Sequence, residues 1–266
     1  MKIAIIGTGN LGKSIAKGLI KNNLITSLYI TKREIKDLKE FEKNNNTYIT
    51  TDNKKAVTNS DILIFAVQPR HFENILKSVT PFLSNKHTIL STITGFSIDK
   101  IASIIGDDKS IVRVMPNTAI AVGKSMTCIC CNSSGKNKIE FAKTIFNQLG
   151  NSIVIPENQM QAATVICASG IAFWMRLIRA STQAAIQLGF DAKDAQKLAM
   201  FTSEGAANLL ITTGNHPEEE IDKVTTPKGC TIEGLNEMEH NGLSAALIQG
   251  MVASYNKINT IKKEQI

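Results

Sequence analysis

The sequence is poor in aromatic residues and lacks long runs of charge of one sign. Aromatic residues make up 5% of its 266 positions, with one tryptophan and three tyrosines. The net charge is +7, but no run of basic residues is longer than two. Nucleic-acid binding uses a clustered basic face and aromatic rings that stack on bases. The composition therefore argues against a nucleic-acid partner and favours a mildly basic enzyme with an anionic ligand.

Long hydrophobic runs are also lacking. No uninterrupted apolar run approaches the roughly 18 residues of a membrane span. The apolar run at positions 3–6 is shorter than the core of a signal peptide, which needs about 7–15 residues. Hydrophobic residues make up 43% of the chain and charged residues 20%, as in ordinary globular proteins. We expect a cytoplasmic protein with no membrane partner.

A second pair of cysteines at zinc-type spacing is missing as well. Cys128, Cys130 and Cys131 lie close together, while the four histidines are single and distant from them. A structural zinc site normally combines two such pairs. We expect no metal, and interpret 126–131 as a strand, at the edge of a sheet, that carries small buried thiols.

What the first 156 residues do contain is an alternation of β-rich runs and helical patterns, typical of a parallel sheet covered by helices. Helical periodicity is predicted at 12–21, 35–43, 71–80 and 97–104. Strands are predicted at 2–6, 28–31, 62–67, 88–92, 111–115, 126–131 and 152–155.

Three glycines follow the first predicted strand and open the first predicted helix. In this G-x-G-x-x-G arrangement, Gly7 makes the tight turn and Gly9 removes a Cβ where backbone approaches a phosphate. Gly12 lets the helix pack closely against the strand, and the helix N-terminus attracts negative charge. We therefore predict a dinucleotide-binding site here, with an ordinary tight turn as the alternative.

The end of the second predicted strand bears on which dinucleotide binds. An NAD site places a carboxylate there to accept the ribose 2′-hydroxyl. Here the strand runs into Lys32 and Arg33 instead. Because an arginine can bind a phosphate through paired hydrogen bonds, we predict NADPH, with NADH as the alternative cofactor. A solvated basic turn is the other interpretation.

From residue 157 the β-rich runs vanish and long apolar helical patterns appear at 168–188, 192–213 and 243–262. The chain is thus predicted to be α/β, with a Rossmann-type doubly wound sheet in 1–156 and an all-helical domain in 157–266. Between the last two helices, 223–235 combines hydroxyls, a proline and glycines before a helix beginning near Ile232. This loop is either a carboxylate cradle or an ordinary capped turn.

Taken together, these stretches resemble the pyrroline-5-carboxylate reductase family over essentially the whole chain. Its most specific motifs are Met-Pro-Asn-Thr at 115–118 and Pro-Lys-Gly-Cys-Thr-Ile at 227–232. The resemblance implies reduction of 1-pyrroline-5-carboxylate to L-proline with NAD(P)H, in a homodimer formed through the C-terminal helices or a higher homo-oligomer.

The resemblance also implies the roles of individual residues. Thr231 is the catalytic residue, with its hydroxyl near the ring nitrogen of the substrate. The other substrate-binding positions are Ser169, Lys228, Gly229 and Cys230. The cofactor-binding positions are Gly7, Gly9, Asn10, Leu11, Gly12, Lys32, Arg33, Asn53, Ala66, Gln68, Pro69, Met115, Pro116 and Asn117.

Several positions depart from the family pattern. The usual Ser-Gly-Ser-Gly-Pro-Ala-Tyr segment is Cys-Ala-Ser-Gly-Ile-Ala-Phe at 167–173, and the usual Lys-Pro pair is Gln68 and Pro69. Lys228 stands where the loop usually has glycine. It is strained if the backbone there needs a positive φ, and otherwise places a cation beside an anion site.

These departures lie more around the substrate than around the dinucleotide, where only the change at Gln68 removes a charge, so two alternatives stay open. One is a reductase of a related cyclic imine or a β-hydroxyacid-type dehydrogenase. The dehydrogenase is disfavoured because 168–188 holds no lysine to act on an alcohol proton. The other is a non-catalytic NADP-binding paralogue, which the altered 167–173 segment would permit.

Overall fold

The computed structural model describes residues 1–23 and 25–264. Its first compact unit comprises Met1–Ile171 and the end of the chain from Tyr255. This unit is built on an eight-stranded sheet of order β3-β2-β1-β4-β5-β6-β7-β8. The strands are β1 Lys2–Ile6, β2 Ser27–Thr31, β3 Thr47–Thr50, β4 Ile62–Phe65, β5 Thr88–Ser91, β6 Ser110–Met115, β7 Ser125–Cys131 and β8 Gly150–Val154.

Strands β1 to β6 are parallel, and β7 runs antiparallel to β6. The edge strand β8 is parallel to β7. The order reverses at β1, which lies between β2 and β4. Ligands of such sheets bind at the carboxyl ends of the strands beside this reversal.

Helices cover both faces of the sheet, and further helices form the second compact unit. They are α1 Asn10–Lys21, α2 Asn53–Thr58, α3 Pro69–Val79, α4 Ile98–Ile105, α5 Ile139–Asn147, α6 Met160–Ala163, α7 Gly170–Gln187, α8 Ala192–Thr213, α9 Pro217–Val224, α10 Cys230–His240 and α11 Leu243–Glu264. A π-helical turn, Thr164–Ser169, joins α6 to α7.

The core has two layers because strand side chains alternate between faces. On one face, Ile3 and Ile5 pack with the buried side chains of α1 and α5. On the other, Ala4 and Ile6 pack with those of α2, α3 and α4. The predicted doubly wound sheet with a helical C-terminal region is therefore confirmed.

Some predicted elements differ from the structure. The segment 126–131 is a strand, but it lies inside the sheet and runs antiparallel to its neighbour β6. The predicted helix at 35–43 is a 3₁₀ segment, Lys36–Phe41. The elements β3, α2, α5 and α9 were not predicted.

The second compact unit, Ala172–Ser254, is entirely helical among its ordered elements. Helix α8 in this unit begins and ends at the capping residues that the sequence predicts. Asp191 caps α8 by accepting hydrogen bonds from the N–H groups of Lys193 and Asp194, and Gly214 ends the helix with φ +69°. The division at 156 and 157 stays a prediction, since the compact units meet at Ile171 instead.

Polar residues interrupt one long helical stretch, so the expectation that no uninterrupted apolar run reaches the length of a membrane span is unchanged. By length and mean composition, however, Glu157–Gln187 could cross a bilayer, with a mean hydropathy of 1.4 in its 18-residue window. This property is also typical of helices that pack against other protein helices.

The aromatic cluster under α3 generates a prediction about stability. The ring of Phe72 packs edge-on against Phe65 and Phe96, with centroids 5.4 Å and 4.9 Å away. We expect Phe72→Ala to lower the free energy of unfolding by about 3–5 kcal/mol, because it leaves a cavity in this core. Val122→Ala, at a side chain that is 73% exposed, should change it by less than about 0.5 kcal/mol. Urea denaturation measures both, and equal effects would contradict this description of the core.

Candidate active site

The turn between β1 and α1 packs too closely for side chains at two of its glycines. Gly7 has φ +95°, and a Cβ there would lie 2.3 Å from Cγ1 of Val67. A Cβ on Gly12 would lie 2.4 Å from the carbonyl oxygen of Gly7. The missing side chain at Gly12 therefore allows α1 to pack closely against β1 and the turn, as the motif predicts. The missing side chain at Gly7 allows the turn to pack against the β4–α3 loop.

Gly9 has a different role, because no atom lies within 4 Å of the position its Cβ would take. It is the N-cap residue of α1, and no side chain caps the helix there. The N–H groups of Asn10, Leu11 and Gly12 in the first turn are consequently open. Open space, free N–H groups and the positive end of the helix dipole fit a pyrophosphate.

A cavity of about 900 Å³ opens at this turn. It brings together seven of the predicted cofactor residues, namely Gly7, Gly9, Lys32, Arg33, Asn53, Ala66 and Gln68. Asn10, Leu11, Gly12 and Pro69 are adjacent in the chain but do not line it. Lining residues that sequence reasoning missed are Thr8, Glu34, Lys36, Asp37, Thr51, His71, Asn74 and Ile75, together with Ile6, Thr31 and Val67.

The charges at the end of β2 are partly paired. Lys32 binds the carboxylate of Asp37, which also accepts a hydrogen bond of 3.1 Å from Lys13. These hydrogen bonds from Lys32 and Lys13 hold the pKa of Asp37 below its ordinary value. Arg33 is exposed and has no protein partner among the described residues. Among the described residues, Arg33 is therefore the cation of this pair that is free to meet an anion, whereas Lys32 is paired with Asp37.

The β4–α3 loop has glutamine where the family usually has lysine. The side-chain oxygen of Gln68 accepts a hydrogen bond of 2.9 Å from Nε of Arg70. Gln68 lines the cavity and Arg70 does not, so a neutral side chain stands where the family's lysine would place a charge. The pairing of Gln68 with Arg70 was not visible in the sequence, because it depends on the extended backbone of Gln68 before α3.

Met115 is the last residue of β6, Pro116 and Asn117 follow it, and none of the three lines the cavity. The Asn117 side chain accepts a hydrogen bond from the Ala119 N–H at 3.0 Å. Its Nδ2 donates to the carbonyl oxygen of Cys167 at 3.1 Å. Four strand steps separate β2 from β6, about 19 Å at 4.8 Å per step. The loop after β6 is thus at the opposite end of the carboxyl edge from Arg33.

Ser169 is the last residue of the π-helical turn and belongs to the first compact unit. Its side chain is half-buried. Such turns insert an extra residue into a helix and are frequent at functional sites. Sequence periodicity predicted a plain helix from 168, so the π geometry is a finding of the structure.

The predicted carboxylate cradle lies in the second unit, at the start of α10. Its N-cap residue Gly229 has no space for a side chain, since a Cβ would lie 2.4 Å from the Thr226 hydroxyl oxygen. No side chain caps the helix, so the N–H groups of Cys230 and Thr231 are open. The Gly229 N–H, in contrast, donates to the Thr226 carbonyl at 2.9 Å and is not open to a ligand.

Lys228 has φ +59°. The backbone there is therefore left-handed, which the sequence alone does not decide. Its side chain is exposed one residue before the cradle. A bulky residue in this conformation is strained. The residue is therefore both a strained position and a cation near an anion site.

This arrangement of sheet, glycine turn and helical unit defines an oxidoreductase that uses a nicotinamide dinucleotide. Among the described residues, no group of three or more histidine, cysteine or acidic side chains could hold a metal ion.

Comparison with known proteins gives the family. Residues 157–261 match the model for pyrroline-5-carboxylate reductase dimerisation, and residues 2–95 match that for NADP oxidoreductase, coenzyme F420-dependent. Pyrroline-5-carboxylate reductase 2 of Dictyostelium discoideum is 40% identical, over 96% of this chain and 91% of that protein. The chain therefore belongs to the pyrroline-5-carboxylate reductase family.

Two further relatives give the extent of the match. Pyrroline-5-carboxylate reductase 1 of Dictyostelium discoideum is 44% identical over 96% of this chain, which spans 49% of that longer protein. The crystal structure of Plasmodium falciparum pyrroline carboxylate reductase, with NADP bound, superposes with a TM-score of 0.88 at 24% identity. The match covers 98% of both chains, so the two share one fold over nearly their whole length.

The strain at Lys228 generates a prediction. Lys228→Gly should raise the free energy of unfolding by about 1 kcal/mol, because glycine adopts a positive φ without the steric cost. Asn23→Gly is the matched control, since Asn23 also has a positive φ of 52° and asparagine tolerates it better. Denaturant titration of the three proteins measures the gain. A Lys228→Gly protein no more stable than the parent would contradict the assignment of strain.

The unpaired cation at the end of β2 generates a second prediction. Arg33→Ala should weaken NADPH binding about tenfold and NADH binding less than about twofold, because only NADPH carries a phosphate for the guanidinium. Lys39→Ala, an exposed change in the same segment but outside the cavity, should affect neither. Fluorescence titration gives both dissociation constants, and an unchanged NADPH-to-NADH ratio in Arg33→Ala would exclude this role.

Proposed function

We propose that the chain reduces 1-pyrroline-5-carboxylate to L-proline with NADPH. The proposal rests on family membership together with one observation, the uncapped start of α10. Two open backbone N–H groups and the helix dipole at Cys230 and Thr231 suit a small carboxylate. The substrate of the proposed reaction carries one such carboxylate next to its ring nitrogen.

The residues of the first unit would hold the cofactor. The open N–H groups of α1 suit the pyrophosphate, Arg33 suits the 2′-phosphate, and the loops after β4 and β6 would flank the nicotinamide. When bound, the dinucleotide supplies a hydride to the carbon of the C=N bond. The protein then has to orient the two rings at contact distance and exclude water.

Thr231 would act at the substrate nitrogen. Its hydroxyl has no protein partner among the described residues, and its side chain is half-buried. The ring nitrogen must end protonated once the adjacent carbon has accepted a hydride. A hydroxyl hydrogen-bonded to this nitrogen stabilises the charge that changes there. Ser169 is proposed as a further polar contact of the substrate.

A homodimer through the C-terminal helices is the proposed assembly. Large apolar side chains in the second unit are strongly exposed, among them Phe201 at 66% and Ile211 at 78%. Such a surface is typical of a protein–protein interface, and a second copy would cover it symmetrically. Sedimentation equilibrium tests this, and a stable monomer would contradict it. The cytoplasmic location is part of the same proposal.

Lys228 favours one alternative substrate class, a cyclic imine with an additional acidic group. The exposed ammonium lies directly before the cradle, where a second carboxylate of a ligand would find a partner. The two candidates share the cofactor, the hydride transfer and the role of Thr231. They differ only in the anionic group that Lys228 would contact.

A direct assay tests the function. The absorbance of NADPH should fall when 1-pyrroline-5-carboxylate is added, with conversion of the substrate to proline. Turnover only with a dicarboxylate imine would select the alternative substrate instead. Tight NADPH binding without turnover of any cyclic imine would contradict the proposed reaction and indicate a non-catalytic protein.

Substitution of Thr231 tests the mechanism. Thr231→Ala should lower kcat about 10–100-fold, because the hydroxyl acts where charge changes in the transition state. Its dissociation constant for NADPH should stay within about twofold. Thr231→Ser keeps the hydroxyl and should retain most of the rate. Steady-state kinetics and cofactor titration check this, and equal losses of rate and cofactor affinity would refute the assigned role.

A further inference from the structure

Two thiols face each other between the sheet and the π-helical turn. Sγ of Cys128, on β7, lies 3.7 Å from Sγ of Cys167. Cys128 is 2% exposed, while Cys167 is half-buried and therefore accessible to a small molecule. Both cysteines are free thiols in this structure. The proposed reduction of an imine uses neither of them.

The pair is chemically asymmetric. The hydrogen bond from Cys128 lowers the pKa of Cys167 to about 7. The same interaction, together with burial, raises the pKa of Cys128 far above its ordinary value. Burial also raises the pKa of Cys130 to about 12. Since the thiolate is the reactive form, Cys167 is the more reactive of these three thiols near neutral pH.

We propose that Cys128 and Cys167 form a peroxide-sensitive disulfide that switches off turnover. The Cys167 thiolate attacks one oxygen of hydrogen peroxide, the O–O bond breaks, and with a proton from solvent the products are a sulfenic acid and water. Cys128 then attacks the Cys167 sulfur, its thiol proton leaves with the hydroxide as water, and the S–S bond forms. The two thiols lose two electrons and two protons, which the peroxide takes up.

Closure of the bond requires movement at one side of the pair. A disulfide is about 2.05 Å long, so the sulfur atoms must approach by about 1.7 Å. Cys128 lies on a strand paired on both sides, with β6 and β8. Cys167 lies in the π-helical turn, which has a wider and less regular hydrogen-bond pattern. The displacement therefore falls on this turn.

The turn is hydrogen-bonded to the loop after β6 and carries Ser169, a proposed substrate contact. The Cys167 carbonyl accepts the hydrogen bond from Asn117, and Ser169 lies two residues further along the same turn. A disulfide at Cys167 shifts these two polar groups together. The glycine turn and Arg33 lie several strands away, so the groups that would bind the phosphates of the cofactor keep their places, and the effect falls on the nicotinamide end. The loss of turnover rests on the proposed function, whereas formation of the disulfide does not.

The experiment treats the full-length protein with hydrogen peroxide. Peptide mass spectrometry under non-reducing conditions should show a cross-link between Cys128 and Cys167. NADPH-dependent turnover should fall at least tenfold and return with dithiothreitol, while the NADPH dissociation constant changes less than twofold. Oxidation should accelerate as the pH rises through about 7, because the Cys167 thiolate fraction increases.

Cys128→Ser and Cys167→Ser should each abolish the cross-link and retain turnover after peroxide. Cys131→Ser is the matched control, a half-buried thiol on the same strand outside the pair, and should leave the response intact. Absence of the cross-link in the wild-type protein would overturn the proposal, as would inactivation that persists in both variants. If turnover is lacking altogether, the cross-link still tests the disulfide separately from the proposed function.

Discussion

The close packing of two backbone turns at the carboxyl edge of the sheet determines where the rest of the site lies. Because Gly7 carries no side chain, the turn after β1 lies directly against the loop after β4. The carbonyl oxygen of Thr31 accepts hydrogen bonds from the N–H groups of Gly7 and Thr8, at 3.2 and 2.9 Å. The end of β2, and with it Arg33, is therefore held beside the same turn. One steric constraint thus brings together the phosphate-binding helix end, a free cation and the β4 loop.

Much of the fold could be predicted from local sequence. Strand β1 and helix α8 have the predicted boundaries, since buried apolar runs and capping residues are local signals. The edge strand β3 was missed because it has only four residues and none of them is fully buried, so it forms no apolar run. The direction of β7 could not be predicted, because a strand pattern is the same in either direction. Asp37 was missed because its pairing with Lys32 depends on the 3₁₀ segment Lys36–Phe41, in which Asp37 lies.

The substrate side could be predicted less well, for a physical reason. The carboxylate cradle at the start of α10 consists of backbone N–H groups, which every sequence possesses. In the sequence, only Gly229 points to it. The conformation of Lys228 decides between two interpretations that the sequence leaves open, and here the backbone has a positive φ. The pairing of Cys128 with Cys167 requires a π-helical turn that helical periodicity does not reveal. In each case the decisive information is a dihedral angle or a distance between remote segments.

The proposed function requires that the start of α10 binds the substrate and that the glycine turn after β1 binds the cofactor that reduces it, although the two belong to different compact units. The most direct measurement is a crystal structure of the complete oligomer with NADP⁺ and proline bound. The account predicts the proline ring within about 3.5 Å of the nicotinamide and its nitrogen within about 3.2 Å of the Thr231 hydroxyl. A complex in which Thr231 of every subunit lies far from every nicotinamide would contradict it.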